Sequence, residues 1–183
     1  MEIDRIWEMP NSKTFKVNAI KEFICNNITD NNLIIIDPFA NEHSIKESLL
    51  NHNYISNDLD KDYDCDYNLD ALDFLKLFKD NSVDVVLFDP PYSSRQVSEC
   101  YKKLDKTVTY LDTSENFWTK FKKEIARVIK PKGLCFSFGW NSNGIGKNNN
   151  FIIEKIRLVA HGGGHNDTIC LMERKQMTLF DFI

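Results

Sequence analysis

Two aspartates stand where apolar runs meet prolines. Asp37-Pro38-Phe39 follows Leu33-Ile34-Ile35-Ile36, and Asp89-Pro90-Pro91-Tyr92 follows the run from Val83 to Phe88. A short apolar run rich in β-branched residues reads as a strand buried on both faces. Proline has no N–H and cannot continue a ladder, so each aspartate is presented at its strand end. In an open α/β sheet that is where ligands bind, outside the carboxyl ends of the strands at the point where strand order reverses. A carboxylate placed there can accept hydrogen bonds from a ligand. Asp-Pro is also an ordinary way to leave a strand, and for Asp37 alone both readings stand.

The elements that must position these residues follow from periodicity. Tyr54-Ile55-Ser56 and Leu134-Cys135-Phe136-Ser137-Phe138 read as further strands. Residues 151–160 and 168–173 read as two more, joined through His161-Gly162-Gly163-Gly164-His165 into an antiparallel hairpin that closes the sheet. Helices are expected over 12–28, 43–51, 71–79 and 115–130. The last carries Phe117, Phe121, Ile125, Val128 and Ile129 at helical spacing and is stopped by Pro131-Lys132-Gly133. Strands that alternate with helices give an α/β class with a parallel sheet.

The 183 residues suit one domain, 1–174, followed by a tail over 175–183. With 42% apolar and 27% charged residues the balance is that of a soluble globular protein, without a membrane span. The residues at the amino terminus do not read as a secretory signal and the five cysteines form no close pair, so no secretion and reduced thiols in a cytoplasm are expected. No metal is called for, because His161 and His165 lack a third ligand. The net charge of -4 argues against nucleic acid, but the average hides an asymmetry. Ten Asp face three Lys between Asp58 and Asp89, whereas ten basic residues face five acids from Arg95 to Lys132. A phosphate-binding surface and solvated helix faces both fit that pattern.

Asp89-Pro90-Pro91-Tyr92 after a strand resembles the catalytic signature of the amino-methyltransferases, which modify N6 of adenine or N4 of cytosine. An exocyclic amine is a poor nucleophile because its lone pair is delocalised into the ring. Hydrogen bonds from the amine to the Asp89 carboxylate and the Pro90 carbonyl draw density onto nitrogen, Pro91 helps fix that carbonyl, and Tyr92 offers a face for an extruded base. The resemblance implies an α/β, Rossmann-like, S-adenosylmethionine-dependent methyltransferase. Its sheet is seven-stranded and mostly parallel, with a C-terminal antiparallel hairpin, and its activity is on N6 of adenine in DNA. N4-cytosine and RNA-adenine enzymes share the motif type.

Carried over residue by residue, the resemblance sets Asp37, Pro38 and Phe39 at the start of the cofactor loop, with Asp37 near the methionine part. It sets Asp58 at the ribose hydroxyls, and Asp70 and Ala71 at the adenine amino group. Lys13 and Thr14 lie in the segment that closes over the cofactor. Asp58 and Asp70 also read as a solvated acid or a helix N-cap. Trp140 and Asn141, and the turn from His161 onward, are similar to segments of small phage-type adenine methyltransferases. Ser94 and Arg95, just after the motif, suit a substrate phosphate.

Two departures oppose the resemblance. The family loop reads Asp-x-Phe-x-Gly-x-Gly, whereas this chain reads Asp37-Pro38-Phe39-Ala40-Asn41-Glu42-His43, without either glycine. Asn41 tolerates the left-handed region that a glycine would take. No separate recognition domain fits between the Asp-Pro motifs. The non-enzyme alternative is a degenerate DNA- or clamp-binding module. The tail supports a clamp partner, since Gln176, Leu179, Phe180 and Phe182 resemble peptides that dock on sliding clamps. Covering this protein's own sheet edge is the competing use of those side chains.

Overall fold

A computed structural model describes residues 1–104 and 116–178. Its strands are β1 (Glu2–Trp7), β2 (Ile34–Asp37), β3 (Asn53–Ser56), β4 (Val83–Phe88), β5 (Ile129–Gly139), β6 (Phe151–Ala160) and β7 (Thr168–Lys175). They form one seven-stranded sheet in the order β1-β6-β7-β5-β4-β2-β3. β7 runs antiparallel to both β5 and β6, and every other pairing is parallel. The mostly parallel sheet with a C-terminal hairpin is as expected. The hairpin does not close the sheet, however, because β1 pairs with β6 beyond it.

Apart from Asp37 and Asp84, β2 and β4 are apolar because both their faces are covered. Ile35, Ile36, Val86 and Leu87 are fully buried. One face packs on α1 (Asn18–Cys25) through Ile20, Phe23 and Ile24, with Phe136 and Met172. The other packs on α2 (Ala71–Lys76) and the helix over Asn116–Val128 through Phe74, Leu75 and Ile125. Burying one such side chain contributes about 1.5–3 kcal/mol, so the sheet centre sustains the fold and leaves the loops free to carry polar groups.

Several elements differ from expectation. The front helix is a 3-10 turn (Thr14–Lys16) and α1, separated by extended Val17 at φ -75° and ψ 116°. Residues 43–51 hold only a 3-10 turn (Lys46–Leu49), which follows left-handed backbone at His43. A helix over Ser94–Lys103, here α3, was not expected, and α4 (Asn116–Val128) ends earlier than the periodicity suggested. Pro131-Lys132-Gly133 does not form a loop. β5 already starts at Ile129 and absorbs the three residues as an irregularity opposite β4, with Lys132 at φ 67°. A Cβ on Gly133 would lie 2.8 Å from the Asp84 carbonyl, which explains glycine there.

The chain passes from β2 outward to β3, then crosses back to place β4 on the other side of β2. The carboxyl ends of β2 and β4 therefore flank the switch point of the sheet. No helix among the described residues is long and apolar enough to cross a membrane.

Candidate active site

A cleft of about 670 Å³ opens at this switch point, within the roughly 300–1,000 Å³ usual for small-ligand sites. Asp89, Pro90, Pro91 and Tyr92 form one wall. The Tyr92 hydroxyl donates to Asp89 Oδ1 at 2.5 Å and lies 3.4 Å from Thr14 Oγ1. The Tyr92 N–H donates to Gln96 Oε1 at 2.6 Å, and the ring meets Trp140 edge-on, centroids 5.6 Å apart. Backbone, hydroxyl and ring of Tyr92 are thus all held. Desolvation pushes the Asp89 carboxyl up to about 6, against the hydroxyls of Tyr92 and Thr14. Burial, reinforced by that carboxylate, holds the Tyr92 phenol well above its ordinary value, so at neutral pH the phenol is the donor. A carboxylate has about four acceptor positions, which leaves room for a second donor.

Asp37 sits one layer below the position expected of it. It is wholly buried and does not line the cleft. Its Oδ2 accepts from the Tyr54 hydroxyl at 2.8 Å and its Oδ1 from the Phe39 N–H at 3.1 Å. Desolvation pushes this carboxyl up to about 8, the Tyr54 and Phe39 bonds oppose the shift, and the charges of Asp89 and Asp58 add to it. Asp37 therefore anchors the loop, while Pro38 and Phe39 face the cleft. The glycine-less loop still turns through the left-handed region, with Asn41 at φ 49° and His43 at φ 41°. Asn41 lines the cleft, and its N–H donates to Asp58 Oδ2 at 2.9 Å. Lys13 Nζ crosses from the front segment to Asn41 Oδ1 at 3.3 Å and to the Tyr63 hydroxyl at 2.7 Å.

Asp58 and Asp70 both line the cleft. Burial raises the Asp58 carboxyl, opposed by the N–H groups of Asp60 and Asn41. Asp70 is the N-cap of α2, accepting from the Leu72 N–H at 2.9 Å. Ala71 beside it also lines the cleft. Asp60, which the sequence reading passed over, adds a further carboxylate and pairs with Lys103 at 3.0 Å. Asn57 is the main residue that reading missed. Fully buried, it donates from Nδ2 to the Pro38 and Leu69 carbonyls, each at 3.1 Å, and accepts from the Leu69 N–H at 3.0 Å. One amide thereby ties the loop after β2 to the segment before α2.

Thr14 and Trp140 line the cleft, and Trp140 is 41% exposed. Asn141 lines instead a second cleft of about 470 Å³, which shares Pro90, Tyr92 and Trp140 with the first. Ser94 and Arg95 line neither. Arg95 is exposed on α3 and bonded to Glu99 at 2.7 Å. His161 is a clasp, with Nδ1 2.8 Å from the Glu8 carbonyl and Nε2 3.0 Å from Thr168 Oγ1. No group of residues able to hold a metal occurs among the described residues. Of the tail, Gln176 exchanges bonds with Asn150 at 2.8 and 2.9 Å, and Leu179, Phe180 and Phe182 lie outside the described residues.

No protein-family model matches the chain, and no curated protein matches it by sequence. Among solved structures it is similar to a 1,6-didemethyltoxoflavin-N1-methyltransferase from Burkholderia thailandensis, solved with S-adenosylhomocysteine. The identity is 11% over 87% of this chain and 76% of that one, with a TM-score of 0.59. It is also similar to TrmN from Thermus thermophilus, at 14% identity over 85% of this chain and a TM-score of 0.57, and spans 47% of that chain. The cyclase SpnF matches at 11% identity, 88% and 82% coverage and a TM-score of 0.55. These likenesses show the fold, that of class I S-adenosylmethionine-dependent methyltransferases. A cyclase among them illustrates that function has to be argued from the site.

Proposed function

We propose that this chain is an S-adenosylmethionine-dependent methyltransferase acting on N6 of adenine in DNA. The observation that carries this reading is that Asp89 and Tyr92 stand in the same cleft as Asp58, Asp60 and Asp70. Carboxylates so gathered repel a phosphate-bearing cofactor and suit a cationic one, and a sulfonium is a cation. Pro38, Phe39 and Asn41 would flank the cofactor, Asp58 would take the ribose hydroxyls, and Asp70 with Ala71 the adenine end. Lys13, through Asn41 and Tyr63, together with Thr14, would close the front, and Asp37 would act from beneath by fixing the loop.

When bound, the cofactor supplies an electrophilic methyl group. The chain's own residues act on the acceptor. Asp89 and the Pro90 carbonyl accept the two N–H groups of the amine, concentrating density on the nitrogen. Tyr92 presents its ring to the base, and Asp89 takes the proton that nitrogen releases as its bond to carbon forms.

The acceptor must meet Asp89 as carboxylate. With its carboxyl pushed up to about 6, kcat/KM is expected to rise with pH through a midpoint near that value and then to level off. An unperturbed aspartate would give a midpoint near 3.9. A profile flat between about pH 5 and pH 8 contradicts the assignment. The function is tested by following labelled methyl from S-adenosylmethionine into DNA and RNA. N6-methyladenine in DNA is the expected product. Label in cytosine or in RNA alone would move the substrate to one of those classes.

The tail beginning at Gln176 is proposed to dock on a sliding clamp, since the sheet ends where Gln176 meets Asn150. Deleting residues 179–183 is expected to abolish pull-down by a purified bacterial clamp. Undiminished pull-down after that deletion removes the idea.

A further inference from the structure

We infer that the second cleft binds the phosphate and base that flank the target nucleotide, with Lys122 as the cation that receives the phosphate. This rests on the nucleic-acid reading above and adds a site to it. Trp118 and Lys122 are four residues apart on α4 and share a face, and both line the cleft with Thr119. Lys122 is the one charged residue among those described as lining it, whereas the first cleft gathers Asp58, Asp60, Asp70 and Asp89. The Asp-rich and basic stretches of the sequence thus meet different ligands: a cation on one side of Tyr92 and an anion on the other.

Lys122 is partly buried, yet it has no hydrogen-bond or ion-pair partner among the described residues. Four other partly buried cations are paired, Lys130 with Asp84, Arg127 with Glu124, Arg157 with Asp4 and Arg174 with Glu154, whereas Lys21 and Lys46, which line neither cleft, are not. Burial holds the Lys122 ammonium below its ordinary value, and the charge that opposes this first is that of Glu173. Glu173 is engaged elsewhere. It is fully buried, with Oε2 accepting from the Ile145 N–H at 2.7 Å and Oε1 from the Gly146 N–H at 3.0 Å. An ammonium at the wall of a cleft, without a carboxylate of its own, is matched by an anion from outside.

The aromatic residues say which anion. Tyr92 and Trp140 line both clefts with their rings at 72°. Bases resting on these two rings cannot stack on each other, so a strand passing from one to the other is splayed at the target nucleotide. Splayed bases on aromatic faces with a cation on the backbone are how unpaired strands are bound. The second cleft therefore takes the neighbouring nucleotide of a single-stranded or extruded target.

The test is equilibrium binding of a fluorescein-labelled single-stranded oligonucleotide across a salt series, with folding of each variant checked by thermal unfolding. Lys122→Gln is expected to lower the slope of log K against log salt by about 0.7, the value for one phosphate contact on a single strand. Lys122→Arg is expected to restore it. Lys120→Gln, at an exposed site on the same helix, is expected to change the slope by much less. S-adenosylmethionine affinity should be unaffected by all three. An unchanged slope in Lys122→Gln, or an equal loss in Lys120→Gln, overturns the site. If the unaltered protein methylates the oligonucleotide in either of those cases, the function stands without it. A Lys122-dependent slope without any methyl transfer keeps the site and overturns the function instead.

Discussion

Asp89→Ala is expected to lower the turnover of methyl transfer by about 10²–10³-fold, the usual cost of removing one preorganised electrostatic partner of a transition state. S-adenosylmethionine affinity should be unchanged, because the residues proposed to hold the cofactor are Asp58, Asp70 and the loop from Pro38 to Asn41, which line the cleft beside Asp89. The loss should fall on kcat, since the bond from the amine strengthens as nitrogen gives up its lone pair. Part of it will come through Tyr92, whose hydroxyl loses its 2.5 Å partner. Asp89→Asn separates the two contributions. It keeps an oxygen acceptor for the Tyr92 hydroxyl but cannot take a proton, so it should retain part of the activity and lose the acid limb of the pH profile. Activity of Asp89→Ala within tenfold of the unaltered protein would mean that the carboxylate is not at the reacting nitrogen.

Asn57→Ala is expected to have the largest effect on stability among the site residues. It strips partners from the Pro38 carbonyl and from both the carbonyl and the N–H of Leu69. Each buried polar group left unsatisfied costs about 1–3 kcal/mol, and Leu69 is 37% exposed, so water can reach some of them. A net loss of about 3 kcal/mol follows, which in a chain of this size lowers Tm by about 6–12 °C. Cofactor affinity should fall as well, because the loop carrying Phe39 and Asn41 loses its tie to the segment carrying Asp70. A Tm within about 2 °C of the unaltered protein would show that the two segments hold their positions without the amide.

The strands around the switch point were legible because they are buried on both faces, which leaves an apolar run with little ambiguity. β1 was not, because an edge strand half in water alternates apolar residues with Glu2, Asp4 and Arg5. Its partner is read only in three dimensions, where Arg157 Nη2 meets Asp4 Oδ2 at 2.6 Å. α3 carried a signal that went unused. Ser93 and Gln96 have the spacing of a capping box, and Ser93 Oγ accepts from the Gln96 N–H at 3.2 Å. The same stretch invited a reading as phosphate contacts instead.

For the site, the strand end pointed to Asp89, the resemblance added Tyr92, Asp58 and Asp70, which line the same cleft, and the tolerance of asparagine for positive φ anticipated Asn41. The depth of Asp37 was beyond reach, because it is decided by how Tyr54 and the Phe39 N–H close on it. Asn57 was hidden for a similar reason, since its partners lie 12 and 19 residues away. Lys122 looked like one more member of a basic stretch until its paired neighbours set it apart.

The account depends most on cofactor binding, and the direct measurement is calorimetric titration of the purified chain with S-adenosylmethionine. Saturable binding at one site, displaced by S-adenosylhomocysteine and weakened by Asp58→Ala, is the predicted result. No heat of binding and no thermal shift, with nucleic acid present or absent, would contradict it and leave the chain a methyltransferase fold used as a DNA- or clamp-binding module.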